Sequence, residues 1–170
     1  MTKRAIWGTS IATIFVIITI VTIPLSYGGG PPAYGLVTDG TVTSNPADTV
    51  YKFTVATMGS IPHNPDTYII ISAGLVAYGW LDGLGTSAVL VAIHPGLDDS
   101  NQNPNNWHPH TATISGGCVT SLSSPQGGVS ITGSTLTLTL KATSATVTPD
   151  TFAGPPAAFT LAGPCIVPLP

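Results

Sequence analysis

All four histidines of the chain lie between positions 63 and 110. His94 closes an apolar run, Ala88 to Ile93, whose length and β-branched content read as a buried strand. His108 and His110 stand two apart in Trp107-His108-Pro109-His110-Thr111, so on a strand they face one side. A hairpin pairing the segments on either side of Pro95 to Asn106 brings His94 beside them. Three imidazoles at one end of a sheet suit zinc or copper: neutral nitrogen donors at about 2 Å, with a coordination position left open. Asp98 and Asp99 lie in the intervening loop and offer a carboxylate ligand or an orienting partner. His63 is a further donor if its loop folds to the same edge.

A plainer reading stands beside this one. His94-Pro95 and His108-Pro109 are ordinary turn material, and Pro109 disfavours a regular central strand. Asp98, Asp99, Asn101 and Asn103 could offer oxygens to calcium, but their spacing is not that of an EF-hand loop, and the chain has no Glu. Other catalytic signals are absent. There is no Gly-x-Ser-x-Gly elbow, Gly83-Leu84-Gly85-Thr86 lacks the lysine of a phosphate loop, and nothing singles out two of the seven aspartates as a glycosidase pair. The expectation is a non-catalytic binding or structural role; a His-ligated metalloenzyme or copper-handling protein is the alternative.

Trp107-His108-Pro109-His110 is similar to the His-x-His strand of copper–zinc superoxide dismutases, which are β-sandwiches with one disulfide. That resemblance stops at two ligands, because no histidine follows His110. A cupredoxin pattern fails as well, since Cys165 has no histidine after it and Met58 is distant in sequence. The stretch Ala92-Ile93-His94-Pro95-Gly96-Leu97-Asp98-Asp99-Ser100, continuing through Asn101 to Trp107-His108-Pro109-His110-Thr111-Ala112-Thr113, resembles uncharacterised exported proteins of ammonia-oxidising archaea. The resemblance implies an archaeal cell-surface setting and no activity.

The elements that must position these residues are β. Charged residues make up 6% of the chain, while glycine and proline number 19 and 16, which fits an exported, turn-rich domain. Tyr51 to Val55 alternates with period two, and Ser134 to Leu140 sets leucines on one side against threonines on the other. Thr67 to Ser72, Leu75 to Leu81, Val129 to Thr132, Ala145 to Val147 and Ala158 to Leu161 read as further strands. Eight to ten strands predict an antiparallel β-sandwich or partly open barrel over 35–170. One core is expected, from Phe53, Val55, Ile70, Leu90, Ile93, Leu136, Leu138 and Phe159. Trp80 reads as core. Trp107, at a loop edge, reads equally as core or as part of an exposed patch.

The first 26 residues differ. Lys3 and Arg4 precede a charge-free run from Ala5 to Leu25. As a helix that run is about 31 Å long, which matches a bilayer core of roughly 30 Å. The basic pair orients its start toward the cytoplasm. Segment 1–26 is therefore expected to be a signal-anchor helix, with a Gly/Pro hinge at 27–34. Ser26-Tyr27-Gly28 also fits a signal-peptidase site, and cleavage there would give a secreted domain. Lys3-Arg4-Ala5-Ile6 resembles the leader of archaeal type IV pilins and archaellins, which implies an assembled surface subunit as another outcome.

Cys118 and Cys165 predict a disulfide in an exported chain. Residues 35–170 carry Lys52 and Lys141 against seven aspartates, a net charge of −5. No basic face exists to neutralise phosphates, which excludes nucleic acid as a partner. The partners left are the membrane, through the N-terminal segment, and other cell-surface proteins.

Overall fold

The computed structural model describes residues 31–45, 50–97, 102–141, 152 and 155–169. The expected signal-anchor helix, the cleavage site, most of the Gly/Pro hinge and the Ala145 to Val147 strand lie outside the described residues. Among those described, no helix is long and apolar enough to cross a membrane.

The protein is all-β, with ten strands in two antiparallel sheets among the described residues. They are β1 (Val37–Asn45), β2 (Val50–Thr57), β3 (Val76–Leu81), β4 (Ser87–Ile93), β5 (His108–Ser115), β6 (Cys118–Ser123), β7 (Gly127–Thr132), β8 (Thr135–Lys141), β9 (Ala157–Ala162) and β10 (Cys165–Pro168). One sheet has the order β1-β2-β8-β7. The other is closed into a barrel of six strands, β10-β6-β5-β4-β3-β9, where the sequence suggested a sandwich or a partly open barrel.

Two clusters replace the single expected core, and strand parity explains why. Val76, Tyr78 and Trp80 of β3, with Val89, Val91 and Ile93 of β4, pack against Phe53, Val55, Leu136, Leu138 and Leu140 of the four-stranded sheet. The alternate residues Ala77, Ala88, Leu90 and Ala92 join Ala112, Ile114 and Phe159 in a second cluster. That second cluster fills the barrel. Strands β3 and β4 are thus buried on both faces, which is why they read as continuous apolar runs. A six-stranded barrel is narrow, and small side chains line it. At Gly79 even a Cβ would sit 2.7 Å from Phe159 Cε1 and 2.9 Å from Leu90 Cδ2, so the Phe159 ring occupies the space a side chain would need.

Thr67 to Ser72 is not a strand. Tyr68–Ala73 forms a π-helical segment, with Gly74 N–H donating to Ile69 O at 2.7 Å. Asp66 starts it by accepting the Ile69 N–H on Oδ1 at 2.9 Å. Only Ile69 of the segment is buried; Ile70, expected in the core, is 58% exposed. A local side-chain acceptor before the run and a left-handed Gly74 after it (φ 66) override its β-branched composition. The other seven residues expected in the core are buried, as are Trp80 and Trp107.

The Cys118–Cys165 disulfide is formed, as its two cysteines predicted, and it belongs to an oxidising, extracytoplasmic setting. These two residues are also the one register pair between β6 and β10, the seam that closes the barrel.

Candidate metal centre

Strand β4 pairs with β5 in the expected hairpin, with Leu90 opposite His110 and Ala92 opposite His108. Leu90 and Ala92 line the barrel, as do Ala112 and Ile114 farther along β5. Both histidines therefore project to the barrel side, and His94, two residues past Ala92, continues the same face. Pro109 is tolerated in β5 because the β6 ladder begins only at Thr111, opposite Ser123, leaving that side of Pro109 unpaired.

Two turns in the connecting loop fix the site. In His94-Pro95-Gly96-Leu97 the Leu97 N–H donates to His94 O at 3.2 Å, and Gly96 has φ 86. Proline followed by a left-handed glycine is the signature of a type II turn. It folds Leu97 back so that its carbonyl lies 3.2 Å from His94 Nδ1. In Asn103-Pro104-Asn105-Asn106 the Asn106 N–H donates to Asn103 O at 3.0 Å, and the Asn103 side chain accepts the Asn105 N–H at 3.0 Å. That turn sets Asn106 O at 2.7 Å from His108 Nδ1. The loop is pinned across its base by His94 N–H donating to Pro104 O at 3.0 Å.

A carbonyl only accepts, so Nδ1 of His94 and of His108 each carries the hydrogen. Their Nε2 lone pairs then point inward, and the two Nε2 atoms are 2.8 Å apart. At that distance a proton shared between the rings, or a metal ion once the rings part slightly, satisfies the two lone pairs. His110 completes the group, with its Nδ1 3.4 Å from Ser124 Oγ. One nitrogen from each of the three rings lies within 4.8 Å of the others. The ring centroids are 4.6 Å apart for His94–His108 and for His108–His110, and 5.6 Å for His94–His110. All three are at most 5% exposed. Tetrahedral zinc with bonds near 2.0–2.1 Å needs nitrogens about 3.3 Å apart, so His94 and His108 would part by about 0.5 Å. His94 and His108 are each oriented through Nδ1, as metal-binding imidazoles usually are through their outer nitrogen.

His63 stays apart from this group. It is exposed and lines a separate groove of about 330 Å³ with Asn64, Asn106, Trp107, Val129 and Ile131. Asp98, Asp99 and Asn101 lie outside the described residues. Trp107 supports the site from behind: it stacks on Tyr78 at 5.2 Å and 15°, and its Nε1–H donates to Pro62 O at 2.7 Å. The Tyr78 hydroxyl donates to Tyr34 O at 2.8 Å, and the Tyr34 hydroxyl to Asp66 Oδ2 at 2.7 Å. No sequence signal marks Ser124, and only the Pro-Gly and Asn-Pro turn signals bear on the two loop carbonyls.

Fold and site together define an all-β domain with a buried three-histidine cluster. Comparison with protein-family models, curated proteins and solved structures finds no match.

Proposed function

We propose that this chain is an exported β-domain, held at the outer face of the membrane by its N-terminal apolar segment, that binds one transition-metal ion through His94, His108 and His110. Zinc and copper are the metals that imidazole nitrogens suit. The observation that carries the reading is the convergence of two Nε2 atoms at 2.8 Å whose outer nitrogens are both tied to carbonyls. The disulfide supports the extracytoplasmic setting. The basic start and the 5–25 apolar run support the anchor. Burial of all three rings favours a binding or structural role over open-site catalysis.

The test is elemental analysis of the untagged full chain in detergent, after equilibration with zinc or copper and removal of excess metal. One equivalent is expected, and none for His108→Ala/His110→Ala with its β signal in circular dichroism intact. A wild-type protein that retains neither metal would overturn the reading.

A further inference from the structure

The described chain begins at Pro31, six residues beyond Leu25, where the apolar run ends. Six residues span at most about 21 Å. This inference rests on the membrane-anchored reading. If the run lies in a bilayer, the face of the domain around Pro31 is held close to the lipid surface.

Three segments meet on that face. The 3-10 turn Ala33–Gly35 begins two residues after Pro31, and Leu36 O accepts the Met58 N–H at 3.0 Å. Ala33 packs so closely on Gly59 that a Cβ there would lie 2.6 Å from Ala33 Cβ. Tyr34 reaches Asp66 through its hydroxyl and meets Tyr68 edge-on at 6.5 Å, which ties the π-helical segment to the same place. These segments carry large apolar side chains turned to solvent: Met58 is 68% exposed, Ile70 58% and Ile71 66%. The segment's own fold turns the two isoleucines out, since its buried residue is Ile69.

We propose that Met58, Ile70 and Ile71 form a membrane-resting face whose tips enter the headgroup–acyl boundary of the outer leaflet. A lipid surface is the occupant because the anchor is tethered within reach of this face. The contact is apolar rather than electrostatic. Lys52 and Lys141 are the domain's basic residues, against seven aspartates, so anionic headgroups have little to attract them. Leu84 is 86% exposed but sits in the β3–β4 turn, at the far end of β3 from the π-helical segment, and it provides an internal control.

The experiment places an environment-sensitive fluorophore on Ile71→Cys or on Leu84→Cys, without reduction, in the full chain reconstituted into phosphatidylcholine nanodiscs. Lipids spin-labelled near the headgroup act as the quencher. For a side chain some 5–10 Å into the boundary, quenching of about twofold is expected at position 71, with a blue-shifted emission. Position 84 should stay unquenched. Ile70→Ser, added to the labelled position 71 protein, should weaken the quenching. Equal signals at the two positions, or none at 71 while the chain stays disc-bound, would overturn the membrane-resting face and leave the anchor standing. A chain that does not co-purify with discs would overturn the anchor and the face with it.

Discussion

His94 and His108 meet Nε2 to Nε2 at 2.8 Å, and each is turned that way by a carbonyl of the loop between them. The loop thus does the work usually left to second-layer side chains, and it does so with backbone atoms set by two proline turns. Each carbonyl fixes which nitrogen faces in.

The first consequence is thermal. A metal that binds the folded state alone stabilises it by about 2.7 kcal/mol at a free concentration of 100 Kd. For a domain of this size that raises the midpoint by about 10 °C. Zinc or copper should therefore shift the melting curve of the wild type and leave that of His108→Ala unmoved, as read by scanning calorimetry. A metal-independent midpoint in the wild type would count against the centre.

The second prediction tests the loop. Gly96 has φ 86, a backbone conformation that costs a side-chain-bearing residue about 1–2 kcal/mol. Among the described residues no atom lies within 4 Å of a Cβ at that position, so Gly96→Ala meets strain without a clash there. Relaxation of the turn would pull Leu97 O from His94 Nδ1 and free that ring to rotate. Metal affinity should fall about 10-fold or more, the usual size of an outer-shell loss, with the β signal unchanged. Unchanged affinity in a competition titration would show that the turn does not orient His94.

How far the sequence foretold this follows from where each signal was local. The Leu/Thr alternation of β8 and the unbroken apolar run of β4 report their burial directly, on one face and on two. The histidine pair two apart in β5 needed only strand parity. Thr67 to Ser72 misled because its β-branched residues carry no mark of the Asp66 cap that coils them, and Ile70 went with it. Strands β1, β6 and β10 escaped notice because so few of their positions are buried. Barrel closure rests on one pairing between Cys118 and Cys165, 47 residues apart. No period reveals that closure, so the division of the core into two clusters stayed hidden.

That seam yields the third prediction. Across it run two further backbone bonds, Val119 N–H to Pro164 O at 2.8 Å and Ile166 N–H to Gly117 O at 3.0 Å. Losing a cross-link over a separation of 47 costs roughly 4 kcal/mol in the chain-entropy model. In Cys118→Ser/Cys165→Ser, hydrogen exchange should quicken first at Val119 and Ile166. His108 lies seven residues along β5 from Ser115, the partner of Cys118, or about 23 Å at the rise of a strand. Sites so far apart act independently, so metal affinity should hold in the variant while stability falls. Loss of metal on opening the seam would mean that barrel closure, not the hairpin, shapes the centre.

The last prediction concerns alkaline pH. Burial pushes the Tyr78 hydroxyl well above the ordinary phenol range. Burial, and after it the hydrogen bond to Asp66, does the same for Tyr34. Unfolded, both should ionise near pH 10. A folded-state value above the unfolded one means that the neutral form is what the fold holds. That stability is fully present below about pH 10 and is lost as pH rises beyond it, because the unfolded chain then releases protons the folded one keeps. Absorbance at 295 nm and circular dichroism, followed together on the wild type, should show these two of the five tyrosines ionising only as the β signal collapses. Tyr78→Phe gives up the bond to Tyr34 O, worth about 1 kcal/mol at neutral pH, and should unfold with a shallower dependence above pH 10. Complete ionisation near pH 10 with the β signal intact would contradict the buried tyrosine chain that backs Trp107 and, through it, the strand carrying His108.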